Sequence, residues 1–81
     1  MRIPVSYLTQ RASYDEVVAN NIFDGKPFGH ANDDWQRLCH KMIAGDELWY
    51  FEPPSADCHQ IWGVALVRNG EIVSTVITAV D

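Results

Sequence analysis

Two long apolar and β-branched runs, Ile61–Arg68 and Glu71–Val80, meet at Asn69-Gly70. Asn-Gly is the pair best suited to the left-handed central positions of a type I′ turn, so the chain is expected to end in an antiparallel hairpin. A two-residue turn also fixes the register: Arg68 opposes Glu71, Val67 opposes Ile72 and Leu66 opposes Val73. Arg68 and Glu71 then form an opposite-charge pair beside the turn. Carried along the hairpin, this register sorts the side chains into two faces. Trp62, Val64, Leu66, Val73, Thr75 and Ile77 share one, which is bulky and suited to receive a helix. Ile61, Gly63, Ala65, Val67, Ile72, Ser74, Val76 and Thr78 share the other, which is flatter and still largely apolar.

The helix that would meet the bulky face lies upstream. Trp35, Leu38, Cys39, Met42 and Ile43 recur at i, i+3, i+4, i+7 and i+8, a complete apolar stripe. Asn32 or Asp33 can cap it, Asp33 and Asp34 suit its positive end, and Gly45 is placed to terminate it, giving a helix over Asp33–Ala44. A shorter helix, about Tyr14 to Asn21, opens on the capping box Ser13-Tyr14-Asp15-Glu16. Between the helices, Asp24 to Ala31 holds Gly25, Pro27 and Gly29 and reads as a loop, with Phe23 and Phe28 as anchors or contacts. Asp46 to Glu52 alternates Leu48 and Tyr50 with Trp49 and Phe51, the pattern of a strand, and Pro53-Pro54 stops it. Ile3 to Leu8 is extended in character, but Pro4 restricts it to an edge strand or a plain arm.

Together these elements define one α+β domain over residues 1–81. Its frame is a three-stranded antiparallel meander, with room for an N-terminal edge strand and two helices. The main helix, Asp33–Ala44, packs on one face. The expected core is Trp35, Leu38, Met42, Leu48 or Trp49, Trp62, Val64, Leu66, Val73 and Ile77. In 81 residues there is no room for a second core.

Charge excludes some partners. Eleven acids against six bases leave a net charge of −5, and no basic cluster exists to neutralise phosphates, so neither nucleic acid nor an anionic membrane is expected as a partner. An acidic mimic of nucleic acid would need a dense acidic face, whereas these acids fall mainly at element ends. No apolar run approaches a membrane span, and Met1-Arg2-Ile3-Pro4-Val5 lacks a signal-peptide pattern. Two cysteines in such a chain point to a reducing, cytoplasmic setting with free thiols.

The chemistry-bearing residues are sparse. Cys39-His40 and Cys58-His59 supply a zinc-type ligand set, but adjacent residues on a helix diverge by about 100° and chelate poorly together. Cys39 on the apolar stripe reads as a small hydrophobe. Cys58 with His59 or His30 is the alternative for a small metal-binding or thiol enzyme, although a chain this short has little with which to shape a cleft. No cofactor and no catalytic residue is expected. Asp33-Asp34 and Asp46-Glu47 sit where capping and turns account for them.

The pattern Trp35, Leu38, Met42, Gly45-Asp46-Glu47-Leu48-Trp49, Phe51, Pro53, then Gly63-Val64-Ala65-Leu66-Val67-Arg68-Asn69-Gly70-Glu71-Ile72-Val73 and Thr78, resembles short uncharacterised proteins of bacterial and prophage genomes. The resemblance covers about the last fifty residues. It implies a bacterial accessory protein and assigns no site residues.

The doubly apolar hairpin carries the functional expectation. A sheet with a single helix layer should turn a polar face outward, and this one does not. Cover comes from the first helix and the Phe23/Phe28 loop, from a second copy, or from a partner protein. The expectation is therefore a non-enzymatic protein-interaction module, such as a homodimer or an adaptor or inhibitor of phage or mobile-element type. Its expected contact face is Ile61, Ala65, Val67, Ile72 and Val76, with Phe23 and Phe28 beside them.

Overall fold

The computed structural model describes residues 3–23, 25–52 and 61–80. In chain order the elements are β1 (Leu8–Ala12), α1 (Tyr14–Asn20), β2 (Ile22–Phe23), β3 (Lys26–Pro27), α2 (Asn32–Lys41), β4 (Glu47–Phe51), β5 (Ile61–Arg68) and β6 (Glu71–Val80). Single 3-10 turns at Val5–Tyr7 and Gly29–Ala31 precede β1 and α2. Among the described residues the main sheet has four antiparallel strands in the order β1-β4-β5-β6, while β2 and β3 form a separate small hairpin. The expected meander is thus extended by an N-terminal edge strand, which runs over Leu8–Ala12 rather than Ile3–Leu8. The segment expected to be a plain loop holds β3, because Phe23 and Ile22 pair with Lys26 and Pro27 across Gly25, whose φ of +76° permits the turn.

Both helices pack on one face of the sheet. Val17 from α1, Trp35 and Leu38 from α2, and Phe28 meet Leu48, Val64, Leu66 and Val76 in one buried cluster. Local chemistry starts α1 as expected: the Ser13 Oγ accepts from the Glu16 N–H at 3.1 Å. For α2 the capping expectation is corrected. Ala31 is the N-cap, and Asn32 lies inside the helix, where its Nδ2 donates to the Pro27 carbonyl and its Oδ1 accepts from Gln36. The helix also stops at Lys41 rather than Ala44. Met42 is already extended, and Ile43 is 58% exposed instead of completing the stripe. Gly45, at φ +92°, serves a turn beyond the helix and not the helix end itself.

Arg68 explains that early stop. Its Nε and Nη2 each donate to the Asp46 carboxylate at 2.8 Å, and Nη2 also donates to the Lys41 carbonyl at 2.9 Å. The same carboxylate accepts from the Ile43 N–H at 2.9 Å. One guanidinium therefore ties the last helical carbonyl, the Gly45 turn and the turn end of the final hairpin together. Arg68 does stand opposite Glu71 in register, but its charge is directed to Asp46, where a two-pronged contact is available.

Two irregularities in β6 correct the expected faces. Val67 pairs with Ile72 and Leu66 with Ser74, which leaves Val73 as an extra residue. Further on, Gly63 pairs with Ile77 and Trp62 with Ala79, which leaves Thr78 extra. Each bulge shifts the alternation by one residue. Val76 and Ser74 consequently move to the helix side, and Thr75 and Ile77 to the other, while Val73 leaves the core at 37% exposure. Trp62 is half-buried rather than part of the central cluster.

The second face is roofed by the chain's own N-terminal arm. Ile3 is buried against Phe51, Ala65 and Val67, with Tyr7, Leu8, Trp49, Ile72 and Ile77 packed around them. The Glu52 N–H donates to the Tyr7 carbonyl at 3.0 Å and holds the arm to the end of β4. Ala65 at 0% and Val67 at 4% exposure thus have their cover within one molecule.

Candidate functional site

The sheet ends on two unlike edges. β1 is short and mostly solvent-facing, is interrupted by an irregularity between Leu8 and Gln10, and carries Arg11, which pairs with Glu47 at 3.5 Å. Such features discourage a further strand. The opposite edge, β6, runs ten residues, Glu-Ile-Val-Ser-Thr-Val-Ile-Thr-Ala-Val, with no lysine, arginine or proline and a single acid at its start. Among the described residues only β5 pairs with it, and no backbone bond from another segment reaches its outer side.

The register defines which backbone groups face outward. Asn69 and Gly70 have φ of 54° and 78°, as a type I′ turn requires, so Arg68 and Glu71 form the bonded pair that closes it. Bonded and non-bonded pairs then alternate along the ladder. Val67 with Ile72, Ala65 with Thr75, Gly63 with Ile77 and Ile61 with Val80 are the non-bonded pairs. The N–H and C=O groups of Ile72, Thr75, Ile77 and Val80 accordingly point away from β5, on a side where no strand among the described residues pairs with them.

A groove flanks each half of this edge. One, about 440 Å³, lies between the arm and the turn-proximal half, lined by Ile3, Val5 and residues 71–75. The other, about 570 Å³, lies between the β2–β3 hairpin and the distal half, where Phe23, Lys26, Phe28 and His30 meet Ile77 and Thr78. Val5, Val73 and Phe23 stand exposed along them, Phe23 at 51%. Phe28 shapes the second groove from beneath. It holds a left-handed φ of 63°, an uncommon conformation for an aromatic residue, while its buried ring stacks on Trp35 at 4.5 Å. The Phe28 N–H donates to the Asn21 carbonyl, and Gly29 leaves space for the Phe23 side chain, whose Cβ lies 3.0 Å from where a Gly29 methyl would be.

The residues expected to form a contact face are therefore dispersed. Ala65 and Val67 lie under the arm, with Ile72 half-buried beside them; Val76 and Phe28 are in the helix-side core. Phe23 is open to solvent, and the Ile61 side chain lies outside the described residues. Of the alternative chemical set, His30 is exposed on the turn before α2, whereas Cys58 and His59 lie outside the described residues. Among the described residues no group of three or more His, Cys, Asp or Glu is placed to hold a metal ion. Cys39 is half-buried, and desolvation pushes its thiol pKa up, against the lowering effect of a hydrogen bond with Tyr14. That environment disfavours the reactive thiolate. Three acids are engaged locally: Asp46 by Arg68, Asp34 by Arg37 and Glu47 by Arg11.

The edge itself was open to sequence reasoning. A run of nine residues after Glu71 with no charge and no proline is the sequence signal of an edge without charged or proline protection. No helix among the described residues is long and apolar enough to cross a membrane. No family model, curated protein or solved structure matches the chain.

Proposed function

We propose that this chain is a non-enzymatic protein-interaction module that offers the outer edge of β6 to a polypeptide strand. The observation that carries this reading is the ten-residue β6 edge, whose outward N–H and C=O groups have no partner strand among the described residues and which carries no lysine, arginine or proline, its protection being limited to the bulges at Val73 and Thr78. Strand addition to such an edge gains affinity from main-chain hydrogen bonds and specificity from the grooves beside it. Each bond contributes roughly 0.5–1.5 kcal/mol net, so the four outward positions and two grooves of mixed apolar and polar lining suffice for a specific contact. The grooves support binding over catalysis. Their titratable lining is Glu71 in one and Lys26 with His30 in the other, which assembles no nucleophile and base.

The arm over the second face moves the contact from the face of the sheet to its edge. A photo-crosslinking residue in place of Val73 tests this in cells. Polypeptide adducts are expected that disappear when Thr75→Pro removes one outward N–H, with none from the same label at exposed Gln36. Adducts that ignore Thr75→Pro, or that form equally from position 36, overturn the reading.

A further inference from the structure

We infer that the groove between the β2–β3 hairpin and the distal half of β6 is a carboxylate subsite: the strand this edge receives comes from another polypeptide and carries an acidic residue, which Lys26 and His30 read. The inference rests on the edge-binding reading above and names the kind of sequence it selects.

The geometry starts from the backbone. A strand bonded to the outward groups of Thr75 and Ile77 places one residue opposite Val76. Residues that face each other across two strands turn their side chains to the same side of the sheet. Val76 turns to the helix side, where it packs in one cluster with Phe28 and Trp35. The incoming side chain is sent to that side too, but beyond the sheet edge, where the turn Gly29–Ala31 approaches β6. The groove of about 570 Å³ opens there, with Lys26 and His30 as its titratable lining. Between these two, Phe28 takes its left-handed φ of 63° with its ring stacked on Trp35, which fixes the bend that sets both on one opening.

Charge then selects the residue that fits. The chain carries eleven acids against six bases, and Arg11, Arg37 and Arg68 are each engaged by an acid of the same molecule. Lys26 and His30 are exposed, and among the described residues neither has a carboxylate within ion-pair distance. The ammonium brings three N–H donors and the imidazole at least one, and a carboxylate accepts from both in charge-assisted bonds. A basic side chain would meet Lys26 as a like charge. A run of acids would be opposed by the net charge of −5 on the whole chain. The fitting strand is therefore apolar and β-branched with a single acid opposite Val76. Phe23, paired with Lys26 across the small hairpin and 51% exposed, offers its ring to the apolar neighbours of that acid.

The test uses the purified chain and two fluorescein-labelled peptides of alternating valine and threonine, one with a central glutamate and its twin with glutamine there. Fluorescence anisotropy is expected to show the glutamate peptide binding roughly fivefold tighter or more, the range of an ion pair with two donors. Lys26→Gln combined with His30→Gln, both at exposed positions, is expected to bring the two peptides level without weakening the glutamine twin. Equal binding of the two peptides to the native chain, or a preference that survives the double variant, overturns the carboxylate subsite and leaves the edge reading standing. A second route needs no variant. In heteronuclear spectra both peptides are expected to shift the Thr75 and Ile77 amides, and only the glutamate peptide to shift the His30 ring signals. Binding that moves neither amide overturns the edge reading and this inference with it, as does an absence of binding by both peptides. Amide shifts with an unmoved His30 ring for the glutamate peptide overturn the subsite alone.

Discussion

Gly63 sits in β5 where its neighbours press closest. A methyl group there would lie 2.8 Å from Phe51 Cζ and collide with the Val76 carbonyl oxygen, which is fixed in β6. Because a strand carbonyl cannot swing away as a flexible side chain can, Gly63→Ala is expected to destabilise the fold by on the order of 3 kcal/mol, read as a lower urea midpoint. Asp46 is the other single residue on which much converges. Its hydrogen bonds from Arg68, then from the Ile43 N–H, hold its carboxyl down at about 2, against an ordinary 3.8. A pKa depressed in the folded state gives stability that is fully present above the unfolded value and is lost as pH falls through the folded one. The stability advantage of the native chain over Asp46→Asn is therefore expected to be constant near neutral pH and to shrink between about pH 4 and pH 2, followed by urea unfolding at several pH values. A pH-independent difference would show that the Arg68 clip is unimportant.

At the scale of elements, the N-terminal arm supplies the cover for which the first helix with the Phe23/Phe28 loop, a second copy or a partner were the candidates. Ile3 is buried on Phe51, Ala65 and Val67, far from it in sequence. Ile3→Ala is expected to cost about 2 kcal/mol, and Ile3→Asp to lift the arm and raise binding of an apolar dye. Unchanged dye binding with Ile3→Asp would mean that the arm is not the roof. This cover was hard to foresee: Ile3-Pro4-Val5 shows no periodicity, and its placement depends on tertiary contact alone. The elements with a strong local signal were legible. The α2 stripe, the Ser13 cap, the β4 alternation and the Asn69-Gly70 turn each carry their physics in neighbouring residues. The β6 bulges do not. Val73 and Thr78 are β-branched residues that suit a regular strand, so nothing in their chemistry announces a shift that exchanges the faces of Val76 and Ile77. The two-residue strands β2 and β3 are likewise too short to carry a pattern.

For the molecule as a whole, the consequence is three layers: helices, a four-stranded sheet and an arm, with both faces covered and the β6 edge unpaired on its outer side among the described residues. The candidate site was only partly legible for the same reason as the faces. Phe23 was singled out and is exposed, but Ala65, Val67, Val76 and Phe28 are buried, and the edge depends on strand order and bulge positions. Amide hydrogen exchange along β6 tests the central claim most directly. In the purified chain the Thr75 and Ile77 amides, which face away from β5, are expected to exchange as open amides while the Val64 and Leu66 amides stay protected. Protection of Thr75 and Ile77 equal to that of Val64 and Leu66 in a monomeric chain would contradict it.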